Sequence, residues 1–239
     1  MTSTDGRSVR GADGKDGTSV TVQNGNVVVS GGSGGSEPLE VKTEDLGGSI
    51  AKVVVSAEAG RITLVGTDSD TVSVTRRIYR QAAEPQESVS RDGDVLRIAA
   101  TCPSGGSGGC RIDYEFQVPR STSVELATAS GALDVTGARG AVTAKSISGA
   151  IGFHDHGSAT TMATSTTGNV TVEAVTRPDL LQVNSTSGNI AISVPGGSPY
   201  RLETSTITGR KNLTVASDNG AASVIRTKTV TGNVQVAAS

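Results

Sequence analysis

The sequence predicts an all-β protein: a single-stranded β-solenoid, or β-helix-like stack, of roughly 20-residue coils with a hairpin-containing N-terminal part. Two observations predict it. A Ser-Gly or Thr-Gly pair recurs six times, at Ser130-Gly131, Ser148-Gly149, Thr167-Gly168, Ser187-Gly188, Thr208-Gly209 and Thr231-Gly232, with successive glycines 18, 19, 20, 21 and 23 residues apart. On both sides of each glycine, apolar and polar residues alternate with a period of two, the pattern of a half-buried strand, and no stretch of comparable length shows a 3.6 period.

Alignment on the glycine gives columns. Seven residues before it stand Val124, Val142, Thr161, Leu181, Leu202 and Ile225, and five before it Leu126, Ala144, Ala163, Val183, Thr204 and Thr227. Three before it every copy has a hydroxyl: Thr128, Ser146, Ser165, Ser185, Thr206 and Thr229. After it come pairs such as Leu133/Val135, Val170/Val172 and Val234/Val236, with the fifth copy read as Leu213/Val215 behind a two-residue insertion, Arg210-Lys211. A coil this short cannot bury its apolar face alone, so coils stack at about 4.8 Å with like residues over like. The glycine suits a corner that needs positive φ or has no room for a Cβ. The hydroxyl beside it is expected to bond local backbone, and the hydroxyl column three residues earlier to form a satisfied internal ladder.

The chain divides into a Gly/Ser-rich tail and linker (1–38), an N-terminal β part (39–120) and the repeat solenoid (121–239). In the tail, Gly11, Gly14 and Gly17 are too few for a collagen repeat. Val20 to Val29 around Asn24-Gly25 reads as a hairpin, or equally as a stray copy of the glycine-centred repeat. Residues 31–36 read as a flexible linker. Val53, Val55, Gly60, Ile62 and Leu64 keep the column spacing, so the coil pattern starts there. Val72, Val74 and Ile78 form a strand ending in Arg76, Arg77 and Arg80, read as a solvated edge guarded by charge. Asp92-Gly93 turns into Leu96 and Ile98, and Ile112, Tyr114, Phe116 and Val118 alternate in the next strand. Between these strands Cys102 and Cys110 close a glycine-rich loop, which places them well for a disulfide contributing about 2 to 3 kcal/mol in the chain-entropy model.

Cys102-Pro103, the block from Cys110 through Asp113-Tyr114-Glu115, then Ser123 to Leu126 and the serial Ser-Gly units resemble the toastrack family of bacteria, the adhesin-like β-strand-repeat domains of unknown function. The similarity covers residues 39–239. It implies an all-β solenoid-like domain tied to the cell envelope and envelope-stress signalling, with no established catalytic residues.

Composition sets limits on chemistry. The chain has 21 Lys and Arg against 23 Asp and Glu, without the clustered basic excess that nucleic acid requires. No apolar run suits a signal peptide or a membrane helix, which gives a cytoplasmic expectation and no membrane insertion. The cysteine pair and the resemblance give the alternative, an exported envelope protein. The two histidines, His154 and His156, alternate on one strand and are weak candidates for a shared metal ion; a polar turn is the competing reading. No catalytic residue and no cofactor is assigned, because the carboxylates Asp134, Glu173 and Asp179 are scattered. A solenoid carbohydrate-active enzyme is thus a distant alternative, and glycan binding has no support. The function expected is a non-enzymatic binding or scaffolding module, alternatively an exported adhesin or envelope-stress sensor. It would act on a protein partner or self-associate through an uncapped last coil carrying Val234 and Val236.

Overall fold

The computed structural model describes residues 8–9, 19–23 and 26–30 as backbone, and 40–79, 84–103 and 110–239 in full. The tail glycines, the Asn24-Gly25 corner, the 31–36 linker and Arg80 lie outside the described residues. Strands β1 (Ser8–Val9), β2 (Ser19–Gln23) and β3 (Asn26–Ser30) pair antiparallel in a small separate sheet, so the backbone takes the hairpin form there.

The rest is two facing sheets with one core between them. Strands β4 (Glu40–Gly48), β5 (Lys52–Ala59), β6 (Ile62–Thr67), β7 (Thr71–Tyr79), β8 (Gln86–Asp92), β9 (Val95–Thr101) and β10 (Arg111–Pro119) build one end. The six copies follow as β11 (Ser123–Ser130) with β12 (Leu133–Thr136), β13 (Val142–Ser148) with β14 (Ile151–His156), and β15 (Thr160–Thr167) with β16 (Val170–Ala174). Then come β17 (Leu180–Ser187) with β18 (Ile190–Val194), β19 (Arg201–Thr208) with β20 (Lys211–Leu213), and β21 (Val224–Thr231) with β22 (Val234–Ala238). Each copy contributes its first strand to one sheet and its second to the other, and the copies are parallel in register. One sheet runs β19-β21-β17-β15-β13-β11-β5-β9-β8, the other β20-β22-β18-β16-β14-β12-β6-β10-β7-β4.

The columns become the core. Val53, Leu126, Val135, Val183, Ile225 and Val236 are essentially buried in one continuous cluster that runs from Ile50 to Val236. Each such aliphatic side chain contributes about 1.5 to 3 kcal/mol. The glycine column is steric as well as conformational. At Gly168, φ is +151°, and a Cβ there would lie 2.1 Å from the Gly149 carbonyl oxygen. The contact repeats up the stack, Gly131 against Gly60 and Gly232 against Gly188, because one corner backbone sits directly on the next. The amide of each corner glycine donates to the coil beyond: Gly168 to Ser187, Gly188 to Thr231, Gly232 to Thr208.

Four expectations change. The sixth copy is not at the end: β21–β22 inserts between the fourth and fifth, so Val234 and Val236 are flanked on both sides and fully buried. They form no interaction surface, and β19–β20 is the end coil. The fifth copy has no register insertion, since Lys211 and Leu213 pair with Val234 and Val236. The hydroxyl column is only partly satisfied: Thr206 and Thr229 donate to Gly232 and Gly188 of the adjoining coil, whereas Thr128, Ser146, Ser165 and Ser185 are buried with no hydrogen-bond partner. Thr167, beside its glycine, donates across to Ile147 of the coil below at 3.0 Å rather than locally.

At the other end antiparallel strands close the stack. β7 lies between β10 and β4, and β8 covers β9. Arg76, expected on a solvated edge, is 4% exposed; its Nε donates to Glu87 and its Nη1 to Glu44, each at 2.8 Å. Tyr114 donates to the same Glu87 oxygen at 2.7 Å. Burial lowers the Arg76 guanidinium pKa, but the two carboxylates more than offset this and hold it above its ordinary value. Burial and Glu87 push the Tyr114 phenol well up. This network ties four strands of both sheets into a closed cap. Arg77 turns to Glu115 instead.

Candidate functional site

His154 and His156 do not share a face. Asp155 has φ +45° and the pairing with β16 shifts between Phe153 and His156, a β-bulge that inserts one residue and reverses the parity. His156 turns into the core, 2% exposed, with its ring centroid 5.0 Å from that of Phe153 and Nε2 2.6 Å from the Thr161 hydroxyl. Burial foremost, then the Arg139 guanidinium, against a smaller opposite pull from Asp155, holds the imidazole at about 4. His154 faces outward and pairs through Nδ1 with Glu173 at 2.9 Å. Among the described residues no group of three or more His, Cys, Asp or Glu could hold a metal ion. Of the scattered carboxylates, Glu173 pairs with His154, and Asp155, between the two histidines, pairs with Arg139 and Arg120.

Cys102 and Cys110 stand 5.8 Å apart at Cα with their sulfurs bonded. They do not close a hairpin. β9 and β10 belong to opposite sheets, so the bond clamps the corner that glycine forms in the other coils, and Glu58 accepts the Cys102 amide at 2.8 Å.

Both sheets have open edges at each end, β4 and β8 at one and the end coil at the other, and only at the end coil does the core itself run out into solvent. β19 and β20 have neighbours on one side only. The inward column here is half exposed at Leu202, Thr204 and Thr206, and Ile207 stands 78% exposed beside Val230 at 38%. Lys211 occupies a position that is apolar in every other copy and leans toward the Thr204 carbonyl, 3.5 Å away. A charge in the inward column is tolerated only where the core stops. One side-chain ladder and one ion pair lead to this end. Asn169 accepts the Asn189 amide, Asn189 that of Asn233, and Asn233 that of Arg210, each at 2.9 Å, and there the ladder ends. Glu203 on β19 accepts from Arg226 on β21, an exposed pair that lowers the carboxyl pKa and raises the guanidinium's.

A family model described as Toastrack DUF4097 matches residues 15–237. The chain belongs to the Toastrack family. No curated protein matches it. Among solved structures, a candidate cell adhesion protein from Clostridium sporogenes superposes with a TM-score of 0.50 at 9% identity, covering 83% of this chain and 99% of that one. A candidate adhesin from Bacteroides fragilis gives 0.42 at 9% identity, covering 83% and 97%. The first likeness shows the shared fold.

In this Toastrack chain the sequence conceals which coil is last. An insertion at Arg210-Lys211 would keep the apolar column intact, whereas the true register puts Lys211 in that column and so marks the last coil. Arg76 and its partners Glu44 and Glu87 carried no local signal, because they meet from strands 32 and 11 residues apart.

Proposed function

We propose that this Toastrack chain is a non-enzymatic, adhesin-like binding or scaffolding module whose protein contacts pass through the β19–β20 end of the stack. One observation carries the reading: the eight-residue strand β19 has an unpaired edge beside the exposed Ile207, where the core is uncovered, while the core at the opposite end is covered by antiparallel strands and the Arg76 charge network. The adhesin-like neighbour accords with a binding role, and the dispersed carboxylates offer no acid–base pair. A photo-crosslinking residue at Ser205 should give discrete protein adducts in native cell fractions, and the same probe at Thr171, in the middle of the stack, should give few. Equal adducts at the two positions would overturn this reading.

The clamped corner favours a refinement in which the module is exported, since a persistent disulfide belongs to an oxidising compartment. Thiol labelling of Cys102 and Cys110 in fractionated cells decides it: label gained only after reduction supports export, and free thiols in a soluble fraction reject it.

A further inference from the structure

We propose that the occupant of the open end is residues 18–30 of a second copy, added as a further coil. This rests on the reading that β19–β20 is an interaction surface.

Whatever stacks on β19–β20 meets a steric filter. In every coil pair a Cβ on the outer corner would lie 2.0 to 2.1 Å from the carbonyl oxygen of the corner beneath, as at Gly209 over Gly232. A coil laid on Gly209 must therefore bring its own glycine to that position. Within the tail, one segment does so in the right columns. Aligned on Gly25, Thr18, Val20 and Val22 fall at the positions seven, five and three before the glycine, and Val27 and Val29 at two and four after it. Asn26 follows the glycine as Asn169, Asn189 and Asn233 follow theirs. The Gly209 amide, whose counterparts at Gly188 and Gly232 donate to Thr231 and Thr208, would find the Asn24 carbonyl in the same place.

Reach decides between one chain and two. The folded part begins at β4, the strand at the far end of the ten-stranded sheet from β20. A coil beyond β20 is ten strand spacings from β4, about 48 Å. The ten steps from Ser30 to Glu40 span at most about 36 Å fully extended. The segment cannot reach its own open end, so the contact is intermolecular. Because the two surfaces lie at opposite ends of the stack, it is heterologous and propagates as a linear chain of copies.

Two features oppose it and set its strength. In the isolated chain β2 and β3 pair with each other, β1 pairs with β2, and β3 lies against β4, so the segment must give up these contacts to add to a second copy. Lys211 stands where the incoming Val27 would pack, and burying its ammonium weakens the contact. Association is therefore reversible and concentration-dependent, with the lysine as its brake.

The experiment is sedimentation equilibrium on the full chain, with Gly25→Val and Lys211→Val, joined to crosslinking from a photoreactive residue at Val22 in mixed 14N/15N protein. The expected results are a mass that rises with concentration, at least tenfold weaker association for Gly25→Val, several-fold tighter association for Lys211→Val, and hybrid-isotope crosslinks onto β19. β2 and β3, on either side of this position in sequence, belong to the separate three-stranded sheet, so the substitution should leave the two-sheet stack folded. A constant mass, an unchanged Gly25→Val, or Val22 crosslinks confined to the same copy would overturn the inference. Ser205 adducts to other proteins persisting alongside such a result would leave the broader reading standing.

Discussion

His156 makes the stack acid-sensitive in a window that can be calculated. The imidazole is held at about 4 by burial and by Arg139, against about 6.5 in the unfolded chain. Between these values the unfolded chain binds a proton that the folded chain refuses, so stability is complete above pH 6.5 and falls as pH drops towards 4. Taking 1.36 kcal/mol per pKa unit, the loss is about 2 kcal/mol at pH 5 and about 3 kcal/mol at pH 4, and it levels off below that. For a chain of this size, 2 kcal/mol is a shift in Tm of about 4 to 8 °C. Carboxylates titrate in the same range, so the assay is a difference: urea unfolding of the native sequence and of His156→Leu at pH 7 and pH 5. The substitution leaves the buried Thr161 hydroxyl without its partner, which lowers stability equally at both values. The gap between the two proteins should therefore narrow, or reverse, by about 2 kcal/mol on acidification. A gap independent of pH would refute the burial argument for this histidine.

Other substitutions probe other parts of the stack. Gly168→Ala drives a Cβ to 2.1 Å from the Gly149 oxygen and should abolish soluble expression, whereas Gly197→Ala, also at positive φ but with nothing within 4 Å, should cost about 1 kcal/mol by thermal melting. Ser165→Ala removes a buried hydroxyl that has no partner and should be neutral or stabilising by up to about 1 kcal/mol in urea unfolding, where an ordinary buried serine would lose stability. Arg76→Met should cost about 1 to 2 kcal/mol, since it buries a methionine where the guanidinium held Glu44 and Glu87 and leaves Glu87 with the Tyr114 hydroxyl and solvent, and Arg76→Lys should recover only part of that because an ammonium cannot hold both carboxylates in the same geometry.

The coil was legible because its physics is local and repeated. Gly149 and Gly168 announce the corner, Val170 and Val172 the strand that follows, and each copy restates the other five. The site was less legible because its determinants are single exceptions to the repeat. The bulge that separates His154 from His156 depends on one left-handed residue, Asp155, and alternation read without it puts both rings on one face. The cap depends on Arg76 meeting two glutamates from other strands, a convergence that exists only after both sheets form.

The order of the last two coils has the same origin. After β18 the chain skips one strand position to lay down β19–β20, and β21–β22 fills the gap. Stacking in chain order would bury Lys211 between two apolar coils, while the skip leaves it at the solvent end and gives the inner place to Ile225, Val234 and Val236. The skip is held by Arg177, in the turn before β17. Its Nε donates to the Ser223 hydroxyl at 2.7 Å, its Nη1 and Nη2 to the carbonyls of Ser198 and Pro199, and its guanidinium lies 4.0 Å over the Tyr200 ring. It thereby joins the fourth coil to the entries of the fifth and the sixth. Arg177→Ala should loosen those two coils before the rest, so hydrogen exchange in β19 and β21 should rise while β11 and β13 stay protected. Uniform exchange across the stack would mean that packing alone, without this clasp, sets the order of the coils.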